Sequence, residues 1–287
     1  MKYAYYPGCS AHSTARDMHQ SCLAVAKVLG IELEEIKGWT CCGATAAHQT
    51  DRVLAASLAA ANLVQVKAMG MDMVVSCAAC YSRSKAANYE VINSPAMREK
   101  VSARLGESYD GSVPVRHFVE VLSKDIGPAK LKKAVKRPLN GLKVACYYGC
   151  YLVRPPEVTG FDDPENPSIL ENLVEAVGGE SLDWPGKVEC CGGSQNLTRT
   201  DITVARSAGI IEMAKSAGAD CIAVACPMCQ TSLDLRQRDI AKSGQTYNMP
   251  VLYITQLIGL ALGIAPAELG INRLMVPPVT VLQALKV

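Results

Sequence analysis

A repeated cysteine pattern constrains this sequence more than any other feature. The first half carries the motifs Gly8-Cys9, Cys41-Cys42-Gly43 and Cys77-Ala78-Ala79-Cys80. The second half carries the matching motifs Gly149-Cys150, Cys190-Cys191-Gly192 and Cys226-Pro227-Met228-Cys229. In both halves 34 residues separate the adjacent cysteine pair from the Cys-x-x-Cys motif. Equal gaps between matching motifs indicate that the chain arose by internal duplication.

Each half alternates short β-rich runs with alanine-rich helical stretches. The runs 2–6, 73–76, 143–148 and 221–225 lead into cysteine motifs, while 53–69 and 203–216 have the apolar spacing of amphipathic helices. This alternation predicts an α/β fold of two similar halves, each with a mostly parallel sheet flanked by helices. Ligands of such folds gather at the carboxyl ends of the strands, so we expect a cysteine cluster site there.

The chain of 287 residues is long enough for two domains that each bury a core. We predict a first domain at 1–123, a linker at 124–142 and a second domain at 143–287. The predicted linker is rich in lysine and contains prolines and glycines, as linkers often do. A proline-rich segment, 153–168, follows the first cysteine motif of the second half, and both a substrate lid and plain packing are compatible with it.

Composition excludes several classes of function. The net charge is only +2 and the sequence has no basic stripe, so we expect no nucleic-acid partner. We also expect no membrane span, because no stretch approaches about 18 uncharged apolar residues. The N-terminus lacks the pattern of a signal peptide, so we predict a cytoplasmic protein. Its 13 cysteines are then expected to be metal ligands or catalytic thiols rather than disulfides.

Each half offers five cysteines in its motifs. Five thiolates exceed the four ligands of a structural zinc site and the four of an ordinary cubane cluster. An adjacent cysteine pair suits a site in which neighbouring thiolates reach different metal atoms. The spacing therefore favours a polynuclear iron–sulfur cluster in each half, while zinc in one half and thiol redox chemistry remain open.

The duplicated motif resembles the cysteine-rich CCG domain, which occurs twice in the B-type subunit of heterodisulfide reductase. Related domains occur in thiol:fumarate reductase, in glycolate and lactate oxidation subunits, and in anaerobic glycerol-3-phosphate dehydrogenase. Three segments are similar to heterodisulfide reductase in particular: GCYLVRPPE at 149–157, FDDPENP at 161–167, and DWP at 183–185 followed by CCGGS at 190–194.

The resemblance implies two noncubane [4Fe-4S] clusters. By motif position, the first is held by Cys9, Cys41, Cys42, Cys77 and Cys80, and the second by Cys150, Cys190, Cys191, Cys226 and Cys229. In the family a coenzyme M–coenzyme B disulfide lies between the clusters and is split by one electron from each side. The implied partners are a flavoprotein A-type subunit and a small iron–sulfur C-type subunit, which deliver the electrons.

Three cysteines fall outside the repeat. Cys22 and Cys221 lie in apolar stretches and are expected to be buried core thiols. Cys146 lies four residues before Cys150 and is an alternative to it as a ligand, although the Gly-Cys alignment with Cys9 favours Cys150.

Two histidines are candidate catalytic residues. His12 follows Cys9 and His48 follows the first cysteine pair, so each is expected near the first cluster, where it would supply a proton to a departing thiolate. An anionic substrate also needs cationic partners. The cations close in sequence to the motifs are Arg16, Arg83, Lys85, Arg154 and Arg199.

The sequence thus predicts the disulfide-reducing subunit of a heterodisulfide reductase complex. The alternative is an iron–sulfur subunit that passes electrons for a lactate, glycolate or glycerol-phosphate type of dehydrogenase. The proline-rich segment favours the first function. A zinc-stabilised scaffold is a weaker third hypothesis, because both five-cysteine sets are complete.

Overall fold

In the part of the chain that the structure describes, eight short strands form two parallel sheets, one in each half. The computed structural model describes residues 1–44 and 47–286. The strands are β1 (Lys2–Tyr6), β2 (Glu32–Glu35), β3 (Met73–Val75), β4 (Val115–His117), β5 (Lys143–Tyr147), β6 (Glu180–Ser181), β7 (Cys221–Val224) and β8 (Val251–Tyr253). The first sheet has the order β2-β1-β3-β4 and the second has the order β6-β5-β7-β8. The predicted duplicated α/β fold with parallel sheets is therefore confirmed.

Helices connect the strands and cover the sheets. The first half contains α1 (Arg16–Leu29), α2 (Ala47–Thr50), α3 (Arg52–Met69), α4 (Ala78–Asn93), α5 (Pro95–Leu105) and α6 (Phe118–Glu120). Between the sheets and in the second half lie α7 (Pro128–Ala134), α8 (Pro156–Thr159), α9 (Ile169–Ala176), α10 (Thr200–Ser216), α11 (Pro227–Gln230), α12 (Gln237–Ala241), α13 (Ile254–Ala261) and α14 (Val279–Ala284). Single 3₁₀ turns (Cys9–His12, Gly193–Gln195, Ile271–Arg273) and two π-helical segments (Val121–Ile126, Thr231–Leu235) complete the described elements.

Local signals explain where the predicted helix α3 begins and ends. Its N-cap, Asp51, accepts a hydrogen bond from the backbone N–H of Leu54 at 2.6 Å. The helix ends at Gly70, whose φ of +65° is the left-handed conformation in which glycine is favoured. The face of α3 that contains Leu63 and Val66 is fully buried, so the amphipathic pattern places this helix on the core.

The register aligns the carboxyl ends of the strands in each sheet. Tyr6 pairs with Val75, and Val75 pairs with His117. In the second sheet Tyr147 pairs with Val224, which pairs with Tyr253. The cysteine motifs follow the central strands directly, so both sets lie at the predicted edge. His117 and Tyr253 occupy equivalent positions in the two halves.

The halves pack against each other through reciprocal contacts. Helix α1 of the first half contacts α13 of the second, and the equivalent helix α9 contacts α6. Hydrogen bonds cross the interface: for example, Ser21 Oγ lies 2.7 Å from Thr255 Oγ1, and Tyr81 Oη donates to the carbonyl of Thr159 at 2.8 Å. Because each helix contact has an equivalent in the other direction, the halves are related by an approximate internal two-fold axis.

Both segments that the sequence suggested as loops are packed. Residues 124–142, predicted as a linker, contain helix α7 with a buried Leu131. The backbone N–H groups of Lys136 and Arg137 both donate to the carbonyl of Ala261. In the proline-rich segment 153–168, Phe161 is buried against Tyr81 of the first half. Of the two interpretations left open for this segment, the structure therefore favours packing between the halves.

Candidate metal centres

The first site brings together the five cysteines that the repeat predicts in the first half. Cys42 and Cys80 approach to 3.4 Å between their sulfur atoms. The charge of Cys9 acts on Cys41, and Cys77 is hydrogen-bonded to Cys80. Cys9 and Cys41 are exposed, whereas the other three are buried. The site therefore has a solvent-facing side and a buried side.

The second site has the same arrangement. The sulfur atoms of Cys191 and Cys229 lie 3.5 Å apart, which matches the pair in the first half. Cys150 is hydrogen-bonded to Cys190, and Cys226 to Cys229. The structure thus brings the ten predicted cysteines together in two sets of five.

Proton sharing among the thiols shifts their pKa values in opposite directions. Hydrogen bonds from Cys41 and then Cys80 hold the pKa of Cys42 well below its usual range. A hydrogen bond from Cys150 lowers the pKa of Cys190 to about 5. Their partners Cys80 and Cys150 have raised pKa values because they keep the shared proton. Thiolate is the form that binds metal, so these clusters of thiols are suited to being ligands.

A buried tyrosine positions the adjacent cysteine pair in each half. Tyr6, the last residue of β1, donates a hydrogen bond from Oη to the carbonyl of Thr40 at 2.7 Å. Tyr147, the last residue of β5, donates in the same way to Glu189 at 2.6 Å. Thr40 and Glu189 each come directly before a Cys-Cys pair. The tyrosine therefore ties the loop that carries the pair to the end of the central strand.

Backbone geometry shapes the space around the sulfur atoms. The N–H groups of Gly43 and Gly192 each lie 3.4 Å from the sulfur of Cys41 and Cys190, respectively. Gly8 has a φ of +73°, and a Cβ built on it would lie 2.9 Å from the sulfur of Cys80. The equivalent Gly149 would bring a Cβ to 3.0 Å from the sulfur of Cys229. Side chains at these glycines would therefore enter the space that the thiols surround.

The donor set fits iron–sulfur clusters. Cysteine thiolates are the usual ligands of such clusters, and hydrogen bonds from backbone N–H groups to sulfur tune them. In residues 1–44 and 47–286, no group of three or more His, Cys, Asp or Glu side chains meets the geometry expected for a single metal ion. The fit therefore rests on the five thiols per site, the directed N–H groups and the space that Gly8 and Gly149 leave beside the sulfur atoms.

The remaining cysteines lie away from both sites. Cys22, Cys146 and Cys221 are fully buried, as predicted for core thiols in the case of Cys22 and Cys221. Burial raises the pKa of Cys146 most, and the negative charges of Glu171 and Cys221 raise it further. Cys150, in contrast, interacts with the cysteines of the second site. The geometry thus favours Cys150 over Cys146.

The two candidate catalytic histidines have different surroundings. His12 ends the 3₁₀ turn that begins at Cys9, stacks on Trp39 and lies 3.4 Å from a carboxylate oxygen of Glu35. His48 lines a cavity beside α4, where its Nδ1 has no hydrogen-bond partner among the described residues. The structure gives both histidines polar surroundings, and their predicted role as proton donors stays a prediction.

Among the candidate cations, Arg83 has the most informative position. Its guanidinium lies 5.8 Å from the ring centroid of Tyr151, which follows Cys150. Its charge also helps to lower the pKa of Cys42, after the hydrogen bonds from Cys41 and Cys80. Arg83 and Tyr151 therefore lie between the two thiol sites. Of the other cations named above, Arg154 and Arg199 form ion pairs with Glu165 and Asp201. Arg16 donates from Nε to the carbonyl of His12, and Lys85 lies over the ring of Tyr81.

No role was assigned from the sequence to His117 and Tyr253, which lie at the interface between the two halves. Both line a small buried cavity of about 10 Å³, together with Ser76 and Ala225. Burial lowers the pKa of His117 to about 4. The hydroxyl of Tyr253 is buried and has no hydrogen-bond partner in the described part of the chain. The similarity of the segments around Pro114 and Pro250 could have identified these two residues, because it aligns them.

The fold and the paired thiol sites define a duplicated, cysteine-rich α/β protein. Residues 3–83 and 144–234 each match the CCG family, described as a cysteine-rich domain. The chain therefore belongs to the CCG cysteine-rich domain family, in two copies.

Several relatives match over nearly their whole length. The 8-methylmenaquinol:fumarate reductase membrane anchor subunit of Wolinella succinogenes is 35% identical over 278 residues, covering 95% of this chain and 96% of the relative. The B-type subunit of the ferredoxin/F(420)H(2)-dependent CoB-CoM heterodisulfide reductase of Methanosarcina acetivorans is 34% identical over 281 residues, covering 95% and 93%. A protein of Archaeoglobus profundus, named as similar to the B-type subunit of heterodisulfide reductase, is 32% identical over 279 residues, covering 94% and 93%.

A solved structure has the same fold. The crystal structure of a hypothetical protein from Helicobacter pylori matches with a TM-score of 0.77 at 12% identity, covering 96% of this chain and 52% of the other. This chain thus spans about half of that protein. Among the helices of residues 1–44 and 47–286, none combines the length and apolarity that crossing a bilayer requires.

Proposed function

We propose that this chain is the disulfide-reducing subunit of a heterodisulfide reductase type of complex. The observation that carries the proposal is the pair of complete five-cysteine sites in one chain whose halves pack on each other. Relatives named as B-type subunits of heterodisulfide reductases or as similar to them, at 32–34% identity over nearly the whole chain, support it.

In this proposal each half holds one noncubane [4Fe-4S] cluster. The ligands are Cys9, Cys41, Cys42, Cys77 and Cys80 in the first half, and Cys150, Cys190, Cys191, Cys226 and Cys229 in the second. When bound, each cluster would supply one of the two electrons that convert a disulfide and two protons into two thiols. The substrate class is a coenzyme M–coenzyme B type of disulfide.

The chain's own residues bind and orient the substrate. Arg83 and Tyr151 lie between the two thiol sites, where a guanidinium attracts an anionic group and an aromatic face excludes water. His12 and His48 remain the proposed proton donors to the departing thiolates. The contacts of His12 with Glu35 and with the ring of Trp39 orient its imidazole for such a role.

The proposed partners supply the electrons. A small iron–sulfur C-type subunit would dock near the exposed Cys9 and Cys41 or the exposed Cys190, and a flavoprotein A-type subunit would reduce it. The cytoplasm is the proposed compartment, because cluster ligation requires reduced cysteines and a reducing compartment keeps thiols reduced.

A second candidate function is electron transfer without disulfide chemistry. The relative named as the membrane anchor subunit of an 8-methylmenaquinol:fumarate reductase, at 35% identity, favours it. In that case the two sites would pass electrons between a partner dehydrogenase and another acceptor.

Metal content and turnover together test the proposal. Protein purified without oxygen should contain about eight iron and eight sulfide per chain, with no zinc. With a reduced viologen as the electron donor, it should then reduce the coenzyme M–coenzyme B disulfide. Full iron content with reduction of a quinone analogue but of no disulfide would support the electron-transfer function instead. About four iron and one zinc would exclude a two-cluster mechanism.

A pair of variants tests the ligand assignment. Cys150→Ala should lose about half of the iron, because Cys150 belongs to the second thiol site. Cys146→Ala is the matched control: this thiol is buried in β5, away from both sites, and the variant should keep its iron. Retention of all iron in Cys150→Ala with loss in Cys146→Ala would reverse the assignment.

A further inference from the structure

A cavity in the first half is not explained by the cysteine sites. It has a volume of about 220 Å³ and lies between α3 and α4, beside His48 of α2. Its polar lining consists of His48, Arg52, Arg83 and Glu90, and the rest of its wall is alanine. Pockets for drug-sized ligands span about 300–1,000 Å³, so this cavity suits a smaller molecule.

Three atoms of the polar lining are buried without a hydrogen-bond partner among residues 1–44 and 47–286. They are Nδ1 of His48, Nε of Arg83 and Oε2 of Glu90. Buried polar groups are nearly always paired, because an unpaired one loses its hydration without replacement. These three atoms belong to side chains that line one cavity, and small rotations of those side chains would turn the atoms toward a polar ligand that pairs them.

The three atoms need different things from a ligand. Nε of Arg83 is a donor at all pH values, and Nδ1 of His48 is a donor in one neutral tautomer and in the protonated form. Arg83 therefore requires an acceptor such as a carboxylate, and His48 can donate to the same acceptor. Oε2 of Glu90 is an acceptor and requires a donor, while a purely anionic ligand would be repelled by this carboxylate.

Arg52 stands at the entrance and fixes Glu90. Its Nε donates to Oε1 of Glu90 at 3.0 Å, and its side chain is 75% exposed. This bond leaves the second oxygen of Glu90 for the cavity. The cavity has two guanidinium groups and one carboxylate, so its net positive charge attracts an anionic group. The second oxygen of Glu90 can still accept a hydrogen bond from a cationic group of the same ligand.

Arg83 connects the cavity to the second half. It belongs to the helix that begins directly after Cys77, and its guanidinium lies 5.8 Å from the ring centroid of Tyr151, the residue after Cys150. A ligand held by Arg83 would therefore be bound to a residue that also contacts the second half.

We infer that this cavity binds the α-amino-acid end of a small disulfide, with the ligand carboxylate on Arg83 and His48 and its ammonium group on Glu90. The identification of the ligand as a disulfide rests on the proposed function, whereas the zwitterion site rests on the cavity alone. The inference extends the substrate class beyond the coenzyme M–coenzyme B type, which has no ammonium group for Glu90, to disulfides of cysteine and of small cysteine-containing thiols.

Calorimetric titration of the full, cluster-loaded chain with S-methyl-L-cysteine tests the site, because this probe carries the zwitterion but no reducible bond. We expect it to bind at least tenfold more tightly than its N-acetyl derivative, which lacks the ammonium group, and than its methyl ester, which lacks the carboxylate. Equal binding of the three probes, or no binding of S-methyl-L-cysteine at millimolar concentration, would overturn the inference.

Two variants separate the two ends of the ligand. Glu90→Gln should remove the preference over the N-acetyl derivative, and Arg83→Gln should weaken binding of S-methyl-L-cysteine at least tenfold. Lys67→Gln, which removes a positive charge at the far end of α3, should bind like the wild type. If Arg83→Gln loses iron or fails to fold, Glu90→Gln decides, and an unchanged preference in that variant contradicts the inference.

Reduction of cystine is measured separately on the same preparations. If S-methyl-L-cysteine binds as expected and no disulfide is reduced, the cavity stands and the proposed function fails. If the coenzyme M–coenzyme B disulfide is reduced while S-methyl-L-cysteine does not bind, the proposed function stands and the inference about the cavity fails.

Discussion

At the scale of single residues, one glycine in each half leaves space beside a buried sulfur atom of the thiol site. Gly8 and Gly149 combine a positive φ with a sulfur atom at 2.9–3.0 Å from the position of a Cβ. Gly127 has nearly the same backbone conformation as Gly8 (φ +77° and ψ 154°, against φ +73° and ψ 166°), but the nearest heavy atom to its Cβ position, the carbonyl oxygen of Ser123, is 4.0 Å away. Comparing Gly8 and Gly127 therefore separates the cost of the backbone conformation from the cost of crowding the sulfur.

Gly8→Ala should lower the iron content of the first site, because the new methyl group displaces the sulfur of Cys80. Gly127→Ala should keep full iron and lose only the conformational term, of about 1–3 kcal/mol in the free energy of unfolding. Iron analysis and denaturant unfolding of both variants are the measurements. Equal iron loss in the two variants, or none in Gly8→Ala, would contradict the steric explanation.

The motif residues could be predicted from the sequence, because spacing alone selects them. The residues that position them could not. Tyr6 and Tyr147 were visible only as part of the repeated flank, and nothing in the sequence states that their hydroxyl groups reach the residues before the cysteine pairs. Such a contact depends on how a loop folds back on a strand, and local sequence patterns do not encode it.

At the scale of secondary structure, the central strands were predicted from the sequence, whereas the edge strands β2 and β6 were not. The predicted runs at β1, β3, β5 and β7 match the central strands because those are continuous apolar segments. The edge strand β2 reads Glu-Leu-Glu-Glu and is largely exposed, and β6 has two residues. Charged, short edge strands lack an apolar signal, and their charges discourage pairing with another chain.

A buried acid in helix α1 gives that element a pH-dependent stability. Asp17 is 5% exposed, and burial raises the pKa of its carboxyl to about 6 from the usual 3.8, with Asp234 contributing in the same direction. A pKa raised in the folded state means that the folded chain binds more protons between about pH 4 and 6. The stability that protonation of Asp17 contributes is therefore lost as the pH rises through that window.

Asp17→Asn should become more stable relative to the wild type as the pH rises from about 4 to 6, by up to about 3 kcal/mol for a shift of about two pKa units. Urea unfolding of both proteins across this range is the measurement. Asp201→Asn is the control: the hydrogen bond with Arg199 lowers the pKa of Asp201 below its usual 3.8, so the difference in stability between this variant and the wild type should stay nearly constant from about pH 4 to 6. A constant difference between Asp17→Asn and the wild type would show that Asp17 does not titrate in this window.

At the scale of the whole molecule, the two halves are expected to unfold together. Helices α1 and α9 each pack on the other half, and hydrogen bonds of Ser21 and Tyr81 cross the interface. The segment predicted as a linker also packs on the second half through Ala261. Each half alone would therefore expose to water the residues that are now buried against the other half.

Each half contains one tryptophan, Trp39 in the first and Trp184 in the second. In Trp39→Phe, the fluorescence of the buried Trp184 should report the same urea midpoint as the circular dichroism of the whole, metal-free chain. A fluorescence midpoint displaced from a biphasic dichroism curve would mean that the halves unfold independently.

The position shared by His117 and Tyr253 has a consequence for how such a protein can evolve. A homodimer of one copy would be obliged to place identical side chains on the two sides of its axis. Because both copies here belong to one polypeptide, a mutation in one is not repeated in the other, and an imidazole now faces a phenol across the interface. Because the duplicated copies are covalently joined, their sequences can diverge independently. A chain of this kind can therefore present a different surface on each half to an asymmetric partner.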